Sequence, residues 1–246
     1  MNITNDLRWD GFGAQYQSII WSIVWAECKG HTFYYSEIER MLNDTGDEKK
    51  FIQDANTLIN LQTKYPPVTS APHGSTVFAL KWPYFYKEIE KNMEFFHNSD
   101  SFRRIQRSYF EGKKSPFDSE HYHVAVHIRR PVAFDVRQEG TAAPDGYYLG
   151  IMKNIMNHFQ YMLTDKPVQF HIYSQGTEEK FEAYKAFPAV FHLTDDTFSS
   201  FNGMVFADML ITSASSFSYT AALLSKGEVI YMPFWHPPRA HWKVLA

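Results

Sequence analysis

The sequence has little of what several common protein classes require. It contains a single cysteine, Cys28, so an intramolecular disulfide framework is excluded. Its 246 residues carry a net charge of −3, which provides no overall basic field for a nucleic-acid backbone. No apolar run reaches the roughly 18 residues of a spanning helix, and residues 1–10 are polar rather than signal-like. We therefore expect a soluble, cytoplasmic chain with no nucleic-acid partner and no membrane span.

Signatures of several enzyme classes are also missing. There is no P-loop, no H-E-x-x-H zinc-protease motif and no G-x-S-x-G nucleophile elbow. Gly11 and Gly13 are not followed by the third glycine of a dinucleotide-binding fingerprint, because position 16 is tyrosine. The sequence therefore lacks the central residues of an NTPase, a zinc protease, a serine hydrolase and an NAD-type oxidoreductase.

Three histidines near the middle of the chain have a spacing that metal ligands could have. His121, His123 and His127 alternate along a predicted strand. A cupin-type metal site would place such residues in an all-β protein, and the all-β pattern is absent. We therefore expect no metal, and a hydrogen-bonding role for His127.

The residues that are present predict a well-packed α/β protein. Apolar residues make up 44% of the chain and aromatic residues 17%, which is enough for a sizeable core. Apolar strands alternate with helices, as in parallel sheets covered on both faces. The predicted strands are Ile3–Trp9, Thr32–Tyr35, His123–Ile128, Val168–Tyr173, Val190–Leu193, Met209–Thr212 and Val229–Met232. The predicted helices are Gln15–Lys29, Asp47–Asn60, Tyr84–Phe96, Ser101–Phe110, Tyr147–Met162, Glu178–Ala186, Phe198–Ala207 and Phe217–Leu224.

Polar residues collect at the ends of three predicted strands. They are the segments Asp10–Gly13, His127–Arg130 and Thr212–Ser218. Ligands of open parallel sheets bind beyond the carboxyl ends of the strands, so these segments predict a site. The polar stretch Glu111–Glu120 predicts a domain boundary, with domains over 1–115 and 120–246. The site is then expected in a cleft between the two halves.

Two of these segments are suited to a phosphate or diphosphate. Arg129 offers a planar fork of donors that stays charged, although a surface ion pair would also explain Arg129 and Arg130. The serines of 213–218 precede a predicted helix, whose first N–H groups and dipole favour an anion. Simple capping of that helix explains one serine of the run and leaves the others without a role.

The three segments together resemble the fucosyltransferase superfamily, which includes the α-1,2, α-1,6 and protein O-fucosyltransferases. Residues 126–130, Val-His-Ile-Arg-Arg, resemble its H-x-R-R motif. Residues 10–15, Asp-Gly-Phe-Gly-Ala-Gln, resemble its N-terminal G-x-G-N-Q loop, and residues 208–218 resemble its late D-x-x-I-x-x-x-S-S-F-S segment. The motifs occur in the family's order and span nearly the whole chain.

This resemblance implies an α/β, GT-B-like fold of two Rossmann-type halves with mostly parallel sheets facing a cleft. It implies an inverting, metal-independent glycosyltransferase that moves fucose from GDP-fucose to a glycan hydroxyl, with no cofactor. The partners are then a nucleotide-sugar donor and an oligosaccharide acceptor, with 1–115 on the acceptor side and 120–246 binding the donor. The implied donor-binding residues are Gly11, Gly13, His127, Arg129, Arg130, Ser215, Ser216 and Phe217.

Catalysis is expected to depend on Arg129 and on a general base. Asp10 is the first candidate for the base because it follows a predicted strand, and Asp135 and Glu139 are the next candidates. The sequence departs from the family where Ala14 replaces asparagine and where 131–132 are Pro-Val in place of Gly-Asp. These departures favour the alternative, a non-catalytic nucleotide-sugar- or carbohydrate-binding module on the same fold.

Overall fold

The computed structural model describes residues 1–42, 47–130, 143–158 and 165–245. The chain divides into two compact units, Met1–Lys114 and Ser115–Ala246. The division falls inside the polar stretch that predicts a boundary. The acceptor and donor roles of the two halves stay predictions.

The first unit is a small parallel sheet with helices. Its elements are β1 (Asn2–Asn5), α1 (Phe12–Cys28), β2 (Thr32–Tyr34), α2 (Glu48–Ile59), a 3₁₀ turn (Val68–Ser70), β3 (Val77–Leu80), α3 (Trp82–Lys91), α4 (Met93–His97) and α5 (Asp100–Phe110). The sheet order is β2-β1-β3, and both strand pairs are parallel.

The long helix α1 provides the core of this unit. Most of its residues are buried, because apolar side chains occupy all of its faces. Trp21 is fully buried, and its ring stacks on Phe102 of α5 at 5.6 Å. The helix ends before Gly30, whose φ of +72° lies in the left-handed region that favours glycine.

The second unit is built on a six-stranded sheet. Its elements are β4 (Tyr122–His127), α6 (Asp145–His158), β5 (Val168–Tyr173), a 3₁₀ segment (Glu178–Ala186), β6 (Ala189–His192), α7 (Thr197–Phe206), β7 (Met209–Ile211), α8 (Ser216–Leu224), β8 (Glu228–Tyr231) and β9 (Lys243–Val244). The order is β6-β5-β4-β7-β8-β9, and every pair is parallel.

The sheet topology of the second unit positions a site. Val124, Val126 and Ile211 are fully buried, as expected for central strands covered on both faces. Strands β4 to β6 follow one another towards one edge of the sheet, and β7 to β9 follow one another towards the other edge, so the strand order reverses between β4 and β7. The carboxyl ends of these two parallel strands are neighbours at that point. The predicted α/β fold with two parallel-sheet halves is confirmed.

Two strand predictions in the first unit are wrong. The strand predicted over Ile3–Trp9 ends at Asn5, whose side-chain amide donates to Ser36 O and accepts from Ser36 N, at 2.9 and 3.1 Å. Strand β3 was not predicted at all. Val77–Leu80 is a short run of four apolar residues without period-2 alternation, and its side chains are half-buried or exposed in the structure.

Two helix predictions also need correction. The single helix predicted over Tyr84–Phe96 is two helices, α3 and α4, separated at Asn92, which has a φ of −127°. The segment Glu178–Ala186 is 3₁₀ rather than α-helical, and it is kinked at the buried Phe181. Packing of that ring in the core overrides the local helical pattern.

The described helices include none that is both long enough and apolar enough to cross a lipid bilayer.

Candidate functional site

The carboxyl ends of β4 and β7 bring together the residues predicted from two separate motifs. Arg129 follows β4, and Ser215 precedes α8 in the segment that follows β7. The Arg129 Nη1 donates to Ser215 Oγ across 3.4 Å, although the two residues are 86 positions apart. The guanidinium therefore lies beside the first turn of α8. Such an arrangement can hold an anion from two directions.

Ser215 and Ser218 organise the start of α8. Ser215 is the N-cap residue, and its Oγ accepts from the Phe217 N–H at 3.3 Å. Ser218 Oγ accepts from the Ser213 N–H at 3.2 Å, which closes the turn before the helix. The first N–H groups of a helix have no acceptor inside the helix, so apart from the capped Phe217 N–H this turn presents donors together with the positive end of the helix dipole. Ser216 is the first residue of α8 and is partly exposed.

His127 is tied to the same segment by a side-chain hydrogen bond. Its Nδ1 lies 2.7 Å from Ser213 Oγ, and its ring meets that of Phe217 edge-on at 5.6 Å. Desolvation by burial, with added repulsion from the Arg129 cation, lowers the pKa of His127 to about 3. The imidazole is therefore neutral at physiological pH, and Arg129 supplies the positive charge of this site.

The lowered pKa of His127 predicts a loss of stability in mild acid. The unfolded chain binds a proton at this histidine below about pH 6.5, while the folded chain does not until about pH 3. The free energy of unfolding should therefore fall as pH decreases through this window. In His127→Gln the slope should be smaller by up to about 1.4 kcal/mol per pH unit. Urea unfolding at pH 7, 6 and 5 measures the slope, and His73→Gln, at an exposed position, is the control. Equal slopes in wild type and His127→Gln would contradict the assignment.

Ser213 is a site residue that the motif alone did not single out. Its side chain is buried, and it connects His127 to the turn before α8. Sequence analysis placed it in the serine-rich run but assigned the anion contact to the two later serines. Its burial and its contact with His127 were the missing information.

Arg130 points away from Arg129 and joins the β4 end to α6. It donates to Asp145 Oδ1 at 2.5 Å, and its guanidinium lies over the Phe181 ring at 5.1 Å. The same Asp145 oxygen accepts from the Tyr184 hydroxyl at 2.7 Å. These contacts give Arg130 a structural role. Its donor-binding role stays a prediction.

Asp208, the acid that opens the late motif, has a structural contact. Its Oδ2 accepts from the His123 N–H at 2.8 Å, at the start of β4, and its carbonyl accepts from Glu228 N at 2.9 Å. Asp208 therefore helps to hold β4, β7 and β8 in register at the amino end of the sheet, away from Arg129.

The N-terminal motif lies in the first unit. Asp10 is five residues beyond the end of β1, where it pairs with Arg8 at 2.9 Å and accepts from the Gly11 N–H at 2.9 Å. Gly11 has a φ of −68°, which any residue adopts, and Gly13 lies inside α1. The predicted roles of Asp10, Gly11 and Gly13 stay predictions. Asp135 and Glu139, the other candidate bases, lie outside the described residues.

Comparison with known proteins gives matches of fold. The sequence matches no protein-family model and no curated protein. Among solved structures, fucosyltransferase NodZ from Bradyrhizobium has 13% identity and a TM-score of 0.47, with 96% of each chain covered. A variant of FUT1 from Arabidopsis thaliana in complex with GDP has 11% identity and a TM-score of 0.47, covering 98% of this chain and 72% of that one.

A third similar structure is that of a different kind of sugar transferase. The heptosyltransferase WaaC of E. coli, solved with ADP, has 11% identity and a TM-score of 0.43, with 97% of this chain and 89% of that chain covered. At these identities and TM-scores the likeness bears on the fold alone. The chemistry of the site rests on this chain's own residues.

Proposed function

We propose that this protein is a glycosyltransferase that transfers a sugar from a nucleotide-diphosphate donor to a glycan hydroxyl, with inversion at the anomeric carbon. The observation that carries the proposal is the position of Arg129 beside Ser215 at the start of α8. The contact unites the H-x-R-R and S-S-F-S motifs, which resemble those of fucosyltransferases. Fucose from GDP-fucose is the proposed donor because of that resemblance.

The proposed chemistry depends on charge at the leaving group. As the glycosidic bond of the donor breaks, negative charge grows on the diphosphate. Arg129 and the N–H groups of the first turn of α8 are positioned to stabilise this charge without a catalytic metal. The neutral His127, held by Ser213, adds a hydrogen-bonding ring without adding charge. The segment is fixed by its own hydrogen bonds before any ligand binds, so it needs little rearrangement during the reaction.

The remaining roles follow the resemblance. We propose Ser216 and Phe217 as further donor contacts, since they form the first turn of α8. Gly11, Gly13 and Arg130 are proposed donor-binding residues on the motifs alone. Asp10 is the proposed general base that removes the proton from the acceptor hydroxyl, and its carboxylate orientation is fixed by Arg8 and the Gly11 N–H.

A panel of nucleotides tests the donor. GDP and GDP-fucose should raise the melting temperature more than UDP, ADP, CMP and their sugars at equal concentration. At a ligand concentration of 100 times Kd, the stabilisation is about 2.7 kcal/mol, or a shift of about 5 °C or more for a chain of this size. Thermal unfolding followed by fluorescence gives the shift.

Product analysis separates an enzyme from a binding module on the same fold. The enzyme should release GDP slowly from GDP-fucose in water, and faster when a glycan acceptor is added. A non-catalytic module would give the thermal shift with no GDP release. If no nucleotide in the panel changes the melting temperature, the donor site proposed at Arg129 and α8 is wrong.

A further inference from the structure

A carboxylate and two imidazoles meet at the amino end of β4. Asp118 Oδ1 lies 3.1 Å from His121 Nδ1 and 3.4 Å from His123 Nε2. Ligand atoms of these three residues all lie within 4.8 Å of one another. Arg129 follows the other end of β4, six residues and about 20 Å along an extended strand from His123. The cluster is therefore separate from the proposed donor site.

His123 is the first of three histidines joined across neighbouring strands. Its Nδ1 lies 3.0 Å from His171 Nε2 on β5, and His171 Nδ1 lies 3.0 Å from His192 Nε2 on β6. This row of hydrogen-bonded histidines ends at Asp195, whose Oδ2 lies 2.7 Å from His192 Nδ1. His123 and His171 are buried, so these nitrogens depend on one another for hydrogen bonds.

When all three rings are neutral, the Asp195 carboxylate sets the direction of every hydrogen bond in this row of histidines. The Asp195 carboxylate can only accept, so His192 Nδ1 donates to it and His192 Nε2 accepts from His171. By the same step, His171 Nε2 accepts from the Nδ1–H of His123. In a chain of neutral rings, the lone pair of His123 Nε2 is then directed at Asp118.

Asp118 offers only acceptors to that lone pair. His123 Nε2 lies 3.2 Å from the Asp118 carbonyl oxygen and 3.4 Å from its carboxylate. A lone pair buried against two oxygen acceptors is unfavourable, and a positive charge between them removes the conflict. Either a proton on the histidine row or a metal ion between Asp118 and His123 supplies that charge, and the titration described below distinguishes the two.

We propose that Asp118, His121 and His123 bind a divalent transition-metal ion, with Zn²⁺ as the best fit. Two imidazoles and one carboxylate, with a fourth position open to solvent, are a common Zn²⁺ ligand set. Bonds of about 2.0–2.1 Å in a tetrahedron place ligand atoms about 3.3 Å apart, close to the separations between the Asp118 carboxylate and the two histidines. The hydrogen-bonded histidines support the site, because they hold the buried ligand His123 with its Nε2 facing the metal.

The location assigns this ion a structural role. Asp118 and His121 belong to the segment that opens the second unit before β4 begins, and His123 lies within β4. A metal ion would fasten that segment to the sheet. The Asp118 carboxylate is already held in place, because its Oδ1 accepts from the backbone N–H groups of Glu120 and His121, and its Oδ2, 3.2 Å from His121 Nδ1, is the oxygen left for the metal ion. The earlier expectation of no metal considered a three-histidine set that included His127, which lies at the other end of β4.

Titration of the untagged, chelator-treated protein with Zn²⁺ tests the proposal. Calorimetry should show one ion bound per chain, and Zn²⁺ should raise the melting temperature. Co²⁺ used in place of Zn²⁺ should give the visible absorption bands of a tetrahedral site. His192→Phe, which keeps a ring against Tyr173 but removes the partner of His171, should weaken Zn²⁺ binding by less than the 10- to 100-fold typical of a residue bonded directly to a metal ligand. Asp118→Asn and His121→Ala remove ligands and should weaken it at least as much.

Controls make the outcome decisive. Asp118 and His121 have half-exposed side chains, with 50% and 33% accessible, and asparagine can still accept the two backbone N–H bonds, so both variants should fold. Circular dichroism of the metal-free variants checks this. His73→Ala, at an exposed position in the first unit, should bind Zn²⁺ as wild type does. Absence of saturable binding, or unchanged affinity in both Asp118→Asn and His121→Ala, would overturn the site. Neither result bears on the donor chemistry at Arg129.

Discussion

Replacing Arg129 by alanine is expected to lower turnover of GDP-fucose at least about 100-fold. Removing one preorganised donor to a developing oxyanion typically costs about 2.7–4 kcal/mol of transition-state stabilisation. Arg129 carries the positive charge next to the helix start, and neither the neutral His127 nor the serine hydroxyls can replace that charge. The effect should appear in kcat, measured as GDP release under saturating donor.

Three further variants define what Arg129 contributes. Arg129→Lys keeps the charge but loses the planar fork, so it should fall between wild type and Arg129→Ala. Arg103→Ala, an exposed arginine paired with Asp100 on α5, should leave turnover unchanged. Asp10→Asn should lower transfer to the acceptor while donor binding persists, as expected for a base. Near-normal turnover in Arg129→Ala would remove this arginine from the mechanism.

Gly203→Ala is expected to destabilise the protein by about 1–3 kcal/mol, the usual range for overpacking a core. A Cβ at Gly203 on α7 would lie 2.0 Å from the hydroxyl oxygen of Tyr173 and 2.7 Å from its ring. Tyr173 is buried and stacks on His192 at 4.4 Å, so its ring has little room to retreat. The close approach of α7 to the sheet therefore requires glycine. Urea unfolding at neutral pH measures the loss.

The same substitution in another helix provides the control. Gly150 lies inside α6, and among the described residues no atom beyond its chain neighbours and the nearby helix backbone comes within 4 Å of an added Cβ. Because alanine has the higher helix propensity, Gly150→Ala should stabilise the protein by up to about 1 kcal/mol. Opposite signs for the two variants would show that contact with Tyr173, and not helix propensity, decides the effect. A stabilised Gly203→Ala would mean that α7 can move away from the sheet.

A site effect should accompany the loss of stability in Gly203→Ala. Phe201 on α7 packs its ring against Phe217 at 5.4 Å, and Phe217 lies in the first turn of α8. Displacement of α7 therefore reaches the proposed donor contacts. The KM for the donor is expected to rise in this variant, while Gly150→Ala leaves it unchanged.

The second unit was largely predictable because its strands are apolar and buried. Strand β5 has the predicted bounds, β4 and β8 each begin and end one residue earlier than predicted, and β7 ends one residue earlier. The first unit was less predictable. The apolar run of β3 is too short and too exposed to be told from a loop, and β1 ends early because Asn5 bonds to Ser36 rather than continuing the strand. A side-chain contact with a distant segment therefore decided the end of β1, and pairing with β1 decided β3.

The candidate site was predictable only in part. Parallel strands end at one edge of a sheet, so the sequence could place Arg129 near the serine run. It could not show that Ser213 contacts His127, or that Arg130 turns towards Asp145, because both depend on which face each side chain takes beyond the strand. The histidine chain was hidden for the same reason, since His171 and His192 lie on separate strands.

The central position of β1 has a consequence for how the first unit assembles during synthesis. Asn2 of β1 pairs with Val77 of β3, so one neighbour of the middle strand leaves the ribosome 75 residues later. Until then α1, apolar on all its faces, has only part of its final cover. Contacts this distant in sequence form slowly. Nascent chains stalled before Val77 should therefore recruit general chaperones, and chains long enough to expose β3 should release them.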